Sequence, residues 1–186
     1  MDMEKRFTKF PIETRADSSG NHVLSGYAIV FNQPSEFMGF REYIDPNALS
    51  GVDMSKVFCL YNHNWDNVLS RTDANTLSLK IDGKGLAFNC TLPNTTLGND
   101  VFENVRNRNI QGVSFGFTVA DDDWTDDDQQ RLVKQIDQLF EISLTPIPAY
   151  DETSVKAIRN KNQLSKEKIN LMNRISLIER IDNLDN

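Results

Sequence analysis

The stretch Gln111-Gly112-Val113-Ser114-Phe115-Gly116-Phe117-Thr118-Val119 decides how the chain is read. Val113, Phe115, Phe117 and Val119 alternate with Ser114, Gly116 and Thr118, the period-two pattern of a strand with one apolar face. Ser114 is therefore expected to point away from the core, flanked on its own face by Gly112 and Gly116. Glycines so placed can let a second chain approach the backbone beside an exposed hydroxyl. A serine on the polar face of a strand is commonplace by itself. Its weight comes from His63 and from the segment 141–150.

The chain has 186 residues, which suits one domain able to bury a core without metal or disulfide staples. A net charge of −7, with no basic stripe interleaved with aromatics, argues against a nucleic-acid partner. Cys59 and Cys90 stand in no metal-ligand spacing and read as buried free thiols, which fits a reducing compartment. The first ten residues are charged and mixed, unlike a secretory signal, and no apolar run is long enough to cross a bilayer. The expectation is a single soluble intracellular domain with no membrane partner, no metal and no cofactor.

Outward from the Ser114 strand, residues 22–31 read as a strand weakened or bulged at Gly26, and 41–44 as a second short one. Asp45-Pro46 is expected to open a short helix through Leu49, with Asp45 as its cap. Residues 56–61 form a short apolar run that leads into the polar loop Asn62-His63-Asn64-Trp65-Asp66. Residues 75–82 and 85–92 make a hairpin around Asp82-Gly83-Lys84-Gly85. Residues 97–109 read as a helix capped by Asn99 or Asp100, which feeds the Ser114 strand. Arg131 to Thr145 returns as one long strand or two short ones, and an amphipathic helix is expected over 164–181. Many short strands with two or three helices point to an α+β, mainly β fold: a closed or nearly closed β-barrel with a few helices packed outside.

Histidine chemistry has few places to reside, since the only histidines are His22 and His63. His22 begins a strand and reads as a surface residue. His63 sits in a polar loop at the end of a buried strand, a common position for a catalytic group. In Phe140-Glu141-Ile142-Ser143-Leu144, the apolar residues share one face, which leaves Glu141 and Ser143 on the other. If this strand pairs near the Ser114 strand, Glu141 could orient an imidazole whose other nitrogen takes the serine proton. Asp66 and Asp73 are rival orienters, and a structural histidine and an ordinary strand carboxylate are the plain alternatives. Arg71 is a candidate for holding an oxyanion, or an ion-pair partner for one of the many acids. The aspartates of 121–128 lack the glycine and terminal glutamate of a calcium loop and read as a solvated hairpin tip. No G-x-S-x-G elbow, H-E-x-x-H motif or phosphate loop occurs.

Taken together, these pieces resemble the prohead maturation proteases of tailed bacteriophages, whose fold is similar to that of herpesvirus assemblin. The resemblance runs through Ser25-Gly26-Tyr27-Ala28-Ile29-Val30-Phe31-Asn32 and Glu42-Tyr43-Ile44-Asp45-Pro46-Asn47-Ala48-Leu49. It continues through Leu60-Tyr61-Asn62-His63 and Val68-Leu69-Ser70-Arg71-Thr72. Gly112-Val113-Ser114-Phe115-Gly116-Phe117 and Glu141-Ile142-Ser143-Leu144-Thr145-Pro146-Ile147-Pro148-Ala149-Tyr150 complete it, in the family's order. The sequence departs from the family at Asn64, at Ser70 and at Asn47-Ala48-Leu49, none of which removes a proposed nucleophile or base.

The resemblance implies a catalytic domain over 1–158 and a helical tail over 159–186 outside it. It implies Ser114 as nucleophile and His63 as general base; the third member is carried to Glu141, with Arg71, Gly112 and Gly116 around the oxyanion and substrate. The implied function is a serine endopeptidase that cuts scaffold, or a scaffold-like extension of the major capsid protein, and itself. It would act inside the assembling prohead in the host bacterial cytoplasm, with possible self-association. The main rival is a β-barrel capsid-assembly or scaffold module that keeps the fold without the chemistry. A cysteine hydrolase using Cys59 or Cys90 is a third reading.

Overall fold

The computed structural model describes residues 3–9, 11–18, 20–125 and 127–146, so the expected 159–186 tail and its helix lie outside the described residues. In chain order the elements are β1 (Glu4–Thr8), β2 (Glu13–Ala16), β3 (His22–Val30), β4 (Arg41–Ile44), β5 (Phe58–Tyr61) and β6 (Asn64–Arg71). They continue with β7 (Leu77–Ile81), β8 (Gly85–Thr91), α1 (Thr96–Arg106), β9 (Gly112–Trp124) and β10 (Gln130–Thr145). The strands fall into two sheets. One has the order β1-β9-β10-β5-β6, with β4 also on β10; the other has the order β2-β3-β8-β7. Among the described residues the fold is mainly β with one helix, and no ladder joins the sheets into a closed ring.

Period-two alternation sets which face of the larger sheet meets the core. Phe115 of β9, Ile142 of β10 and Cys59 of β5 are successive cross-strand neighbours, and all three are fully or almost fully buried. They pack with Leu24, Ile29, Leu86 and Phe88 of the smaller sheet and with Val101 and Val105 of α1. Each large side chain buried this way contributes about 1.5–3 kcal/mol. Cys59 and Cys90 both lie inside this core, which removes them from any solvent-facing chemistry. Contact with Cys90 first, and burial second, hold the Cys59 thiol well above its ordinary range.

Local rules explain where the elements differ from expectation. The helix starts earlier than the Asn99 or Asp100 cap implied, because Thr95 takes the cap and its Oγ1 accepts the Gly98 N–H at 3.1 Å. It ends at Arg106, before Arg108 turns left-handed at φ 60°. The helix expected after Asp45 is a run of turns: Ala48 and Ser50 donate three residues back, to Asp45 and Asn47, and Gly51 at φ +76° ends the run. The irregularity in β3 falls between Tyr27 and Ile29, just past Gly26. β1, β2 and β6 were not expected from their polar sequences; pairing with β9, β3 and β5 makes them strands.

β1 is held by a buried ionic cluster. Glu42 receives Arg6 Nε at 2.7 Å and Arg131 Nη1 at 2.9 Å, while Glu4 receives Arg131 Nη1 at 2.6 Å. Arg131 Nε also donates to Asp122 at 2.6 Å, so β1, β4, β9 and β10 meet at one knot of charge. Burial opposes the Arg131 charge, but Glu4, Glu42 and Asp122 outweigh it and raise its pKa.

Candidate active site

Register places the candidate residues on the face of the larger sheet opposite the core. Ser114 lies directly across from Ser143, and Gly116 across from Glu141. On the other side of β10, Glu141 neighbours Phe58, which in turn pairs with Arg71 on β6. A single cross-strand row therefore runs Gly116–Glu141–Phe58–Arg71, with Ser114–Ser143–Leu60 as the row beside it.

His63 enters from a turn rather than a loose loop. Tyr61 and Asn64 pair across it, and the two residues between them, Asn62 and His63, have φ of 54° and 56°. Positive φ at both central positions is the type I′ pattern, in which asparagine is favoured first and glycine second. A histidine at the second position is sterically costly. The turn is tied to β10, since the Asn62 N–H donates to the Leu144 carbonyl at 3.0 Å and Thr145 Oγ1 donates to Asn62 Oδ1 at 3.2 Å.

This places the imidazole on Glu141, with His63 Nδ1 2.8 Å from Glu141 Oε1. The other carboxylate oxygen accepts the Ser143 hydroxyl at 2.5 Å. An ionised carboxylate can only accept, so in the neutral imidazole Nδ1 carries the proton and Nε2 presents a lone pair. Among the described residues, the buried side-chain polar atoms without a hydrogen-bond partner are His63 Nε2, Ser114 Oγ and Arg71 Nε. An uncommitted imidazole lone pair and an uncommitted serine hydroxyl, both shielded from solvent, are the raw materials of nucleophilic catalysis.

A family model for the caudovirus prohead serine protease matches residues 10–168. The chain belongs to that family. The prohead protease of Enterobacteria phage HK97 is 30% identical over 143 residues, covering 74% of this chain and 60% of that protein. The chain thus spans about three fifths of the length of that curated relative. The capsid assembly protease of bacteriophage T4 shares the fold, with a TM-score of 0.54 at 10% identity over 77% of this chain and 96% of that one.

In this member of the prohead serine proteases, Ser114 is not on an open surface. It is 0% exposed, with Phe7 of β1 beside it on one side and Ser143 of β10 on the other. β1 pairs along β9 from Val113 to Phe117 and occupies the edge that the flanking glycines were expected to leave open to a substrate strand. Both glycines are closely packed. A Cβ on Gly112 would overlap the Phe7 ring, and one on Gly116 would lie 2.6 Å from Glu141 Oε1 and 3.1 Å from Met3 Sδ. Gly116 thus makes room for the oxygen that holds His63. We expect Gly116→Ala to displace that carboxylate and reduce turnover by about 10–100-fold. Steady-state cleavage beside a thermal melt would check this, and unchanged turnover would contradict it.

Arg71 shares this face but lies two strands from Glu141, roughly 10 Å at ordinary strand spacing. Its guanidinium lies over the Phe58 ring at 4.2 Å and donates to Asp73 at 2.5 Å. Asp73 is thereby engaged with Arg71. Asp66 sits in the exposed part of β6, its N–H donating to Asn64 Oδ1, and Glu141 is the carboxylate that contacts His63. His22 stacks on Phe102 at 3.8 Å, on the smaller sheet. Three participants escaped the sequence reading. Ser143 was placed on the correct face but given no task, although its position two residues after Glu141 was a usable signal. Met3 and Phe7 carried no signal, because only the β1–β9 pairing brings them over the glycines.

Proposed function

We propose that the chain is a serine endopeptidase of phage capsid maturation, with Ser114 as nucleophile, His63 as general base and Glu141 as the orienting carboxylate. The observation that carries this reading is the 2.8 Å contact from Glu141 to His63 Nδ1, which leaves Nε2 as a buried, uncommitted base in a site that also holds an uncommitted serine. Ser114 Oγ attacks the peptide carbonyl as its proton passes to His63 Nε2. Glu141 stabilises the imidazolium, which then protonates the departing amine. Water repeats the sequence on the acyl-enzyme. Arg71 is the donor proposed for the oxyanion, once it exchanges Asp73 for the substrate oxygen.

The names of the two relatives point to capsid proteins as the substrate class. On this reading the enzyme works inside the prohead in the host cytoplasm and removes scaffold, or a scaffold-like extension of the major capsid protein. It also trims itself, and the two sheets correspond to the assemblin-like barrel. Co-expression of the cognate capsid precursor with wild type or His63→Ala tests the assignment: the precursor should be shortened by the wild type alone. Equal shortening by both, or by neither, would contradict a serine protease and, in the second case, favour an inactive assembly module. The catalytic domain is assigned to 1–158 and the tail to 159–186. A chain ending at Arg159 should cleave peptide normally but enter proheads poorly, and equal incorporation would refute a packaging role for the tail.

A further inference from the structure

Ser143 stands directly opposite Ser114 and is 0% exposed, yet its hydroxyl is fully engaged. Its Oγ accepts the backbone N–H of His63 at 3.2 Å and donates to Glu141 Oε2 at 2.5 Å. The directions are unambiguous. A backbone N–H can only donate and an ionised carboxylate can only accept, so the hydroxyl proton goes to Glu141. Glu141 Oε1 in turn holds the His63 ring. The contacts therefore close on themselves, from the His63 backbone through Ser143 and Glu141 back to the His63 imidazole.

We propose that Ser143 is a positioning residue, which holds the His63 backbone and the carboxylate that orients the His63 ring in one closed cycle of hydrogen bonds. The proposal rests on the reading of His63 as general base. It assigns complementary tasks to the two serines that face each other. Ser143 has its proton committed to Glu141 and cannot serve as nucleophile without breaking the cycle; Ser114 makes no such commitment. Without the Ser143 oxygen, one carboxylate oxygen is free to turn and the His63 N–H loses its side-chain partner. The turn around His63 is then less closely coupled to the ring it presents. Misplacement of about 1 Å at such a centre costs on the order of 100-fold in rate.

The test compares the full chain as wild type, Ser143→Ala and Ser143→Thr, the last of which keeps a hydroxyl. Two readouts are taken: kcat and KM on the purified cognate capsid precursor, and the ring nitrogen resonances of ¹⁵N-histidine-labelled protein. Only two histidines contribute, and His22, stacked on Phe102, serves as an internal measure of folding. Ser143→Ala should lower kcat by about 10–100-fold with KM changed less than threefold. It should also move or broaden the His63 resonances while leaving those of His22 in place, and Ser143→Thr should recover most of both losses. Unaltered His63 resonances in Ser143→Ala would overturn the proposal whatever the activity. So would loss of the His22 and His63 signals together in both variants, which would mark Ser143 as a folding residue. If the wild type fails to cleave the precursor, the endopeptidase reading fails by itself, and the His63 resonances still decide whether Ser143 positions the ring.

Discussion

Ser114→Ala should lower turnover of the capsid precursor by roughly 10⁴-fold or more, the scale set by nucleophile loss in serine triads. The same substitution should leave stability unchanged or slightly raised. Most buried hydroxyls take a hydrogen bond with them when removed, at a cost of about 1–3 kcal/mol. Ser114 Oγ is buried and makes none, so its deletion leaves no orphaned partner and relieves an unsatisfied group. Activity lost with the melting temperature held or raised is therefore the expected signature. It separates the nucleophile from Ser143, whose removal takes a hydrogen-bond partner from two polar groups. Intact-mass analysis of the precursor and a thermal melt give both numbers. Residual cleavage within tenfold of wild type would dismiss Ser114 as the nucleophile.

The largest effect on stability is expected from Glu42→Ala, at about 3–5 kcal/mol. That is a large share of the roughly 5–15 kcal/mol that holds a domain of this kind together. Glu42 has a side chain only 2% exposed and sits between Arg6 and Arg131, both nearly as buried. Its loss leaves two guanidinium groups in the interior with Glu4 and Asp122 as their remaining partners. Urea unfolding of the variant should show a lower midpoint with an unchanged slope. The same cluster predicts sensitivity to acid. Burial pushes the Glu4 carboxyl up, but hydrogen bonding and charge from Arg131 and Arg6 outweigh it and hold the group below its ordinary value of 4.5. The unfolded chain thus takes up this proton first as the pH falls. The Glu4 contribution is complete above about 4.5 and is lost as the pH drops through the folded-state value. Between pH 6 and 3, Glu4→Gln should flatten the stability profile of the wild type; parallel profiles would remove Glu4 from the account.

Much of the site could be read along the chain because alternation is a local property. Val113, Phe115 and Phe117 on one face oblige Ser114 and Gly116 to share the other, and the same rule places Glu141 beside Ser143. What joins those strands is register, which no single strand encodes, and the resemblance to known proteases supplied the link to His63. Burial of Ser114 was misjudged for the same reason. Its polar face looked solvated because Glu4–Thr8 is too polar to announce itself as a strand, and only its pairing with β9 brings Phe7 over Gly112. Along the sequence the His63 turn reads as a loop, because Asn-His lacks the glycine that usually marks a two-residue hairpin.

That missing glycine sets the stability of the turn against the chemistry proposed for it. At φ 56°, a histidine is strained by about 1–2 kcal/mol relative to glycine, which would be at ease in the same turn. On the reading of His63 as general base, position 63 is where stability asks for glycine and proton transfer asks for an imidazole, and this chain carries the imidazole.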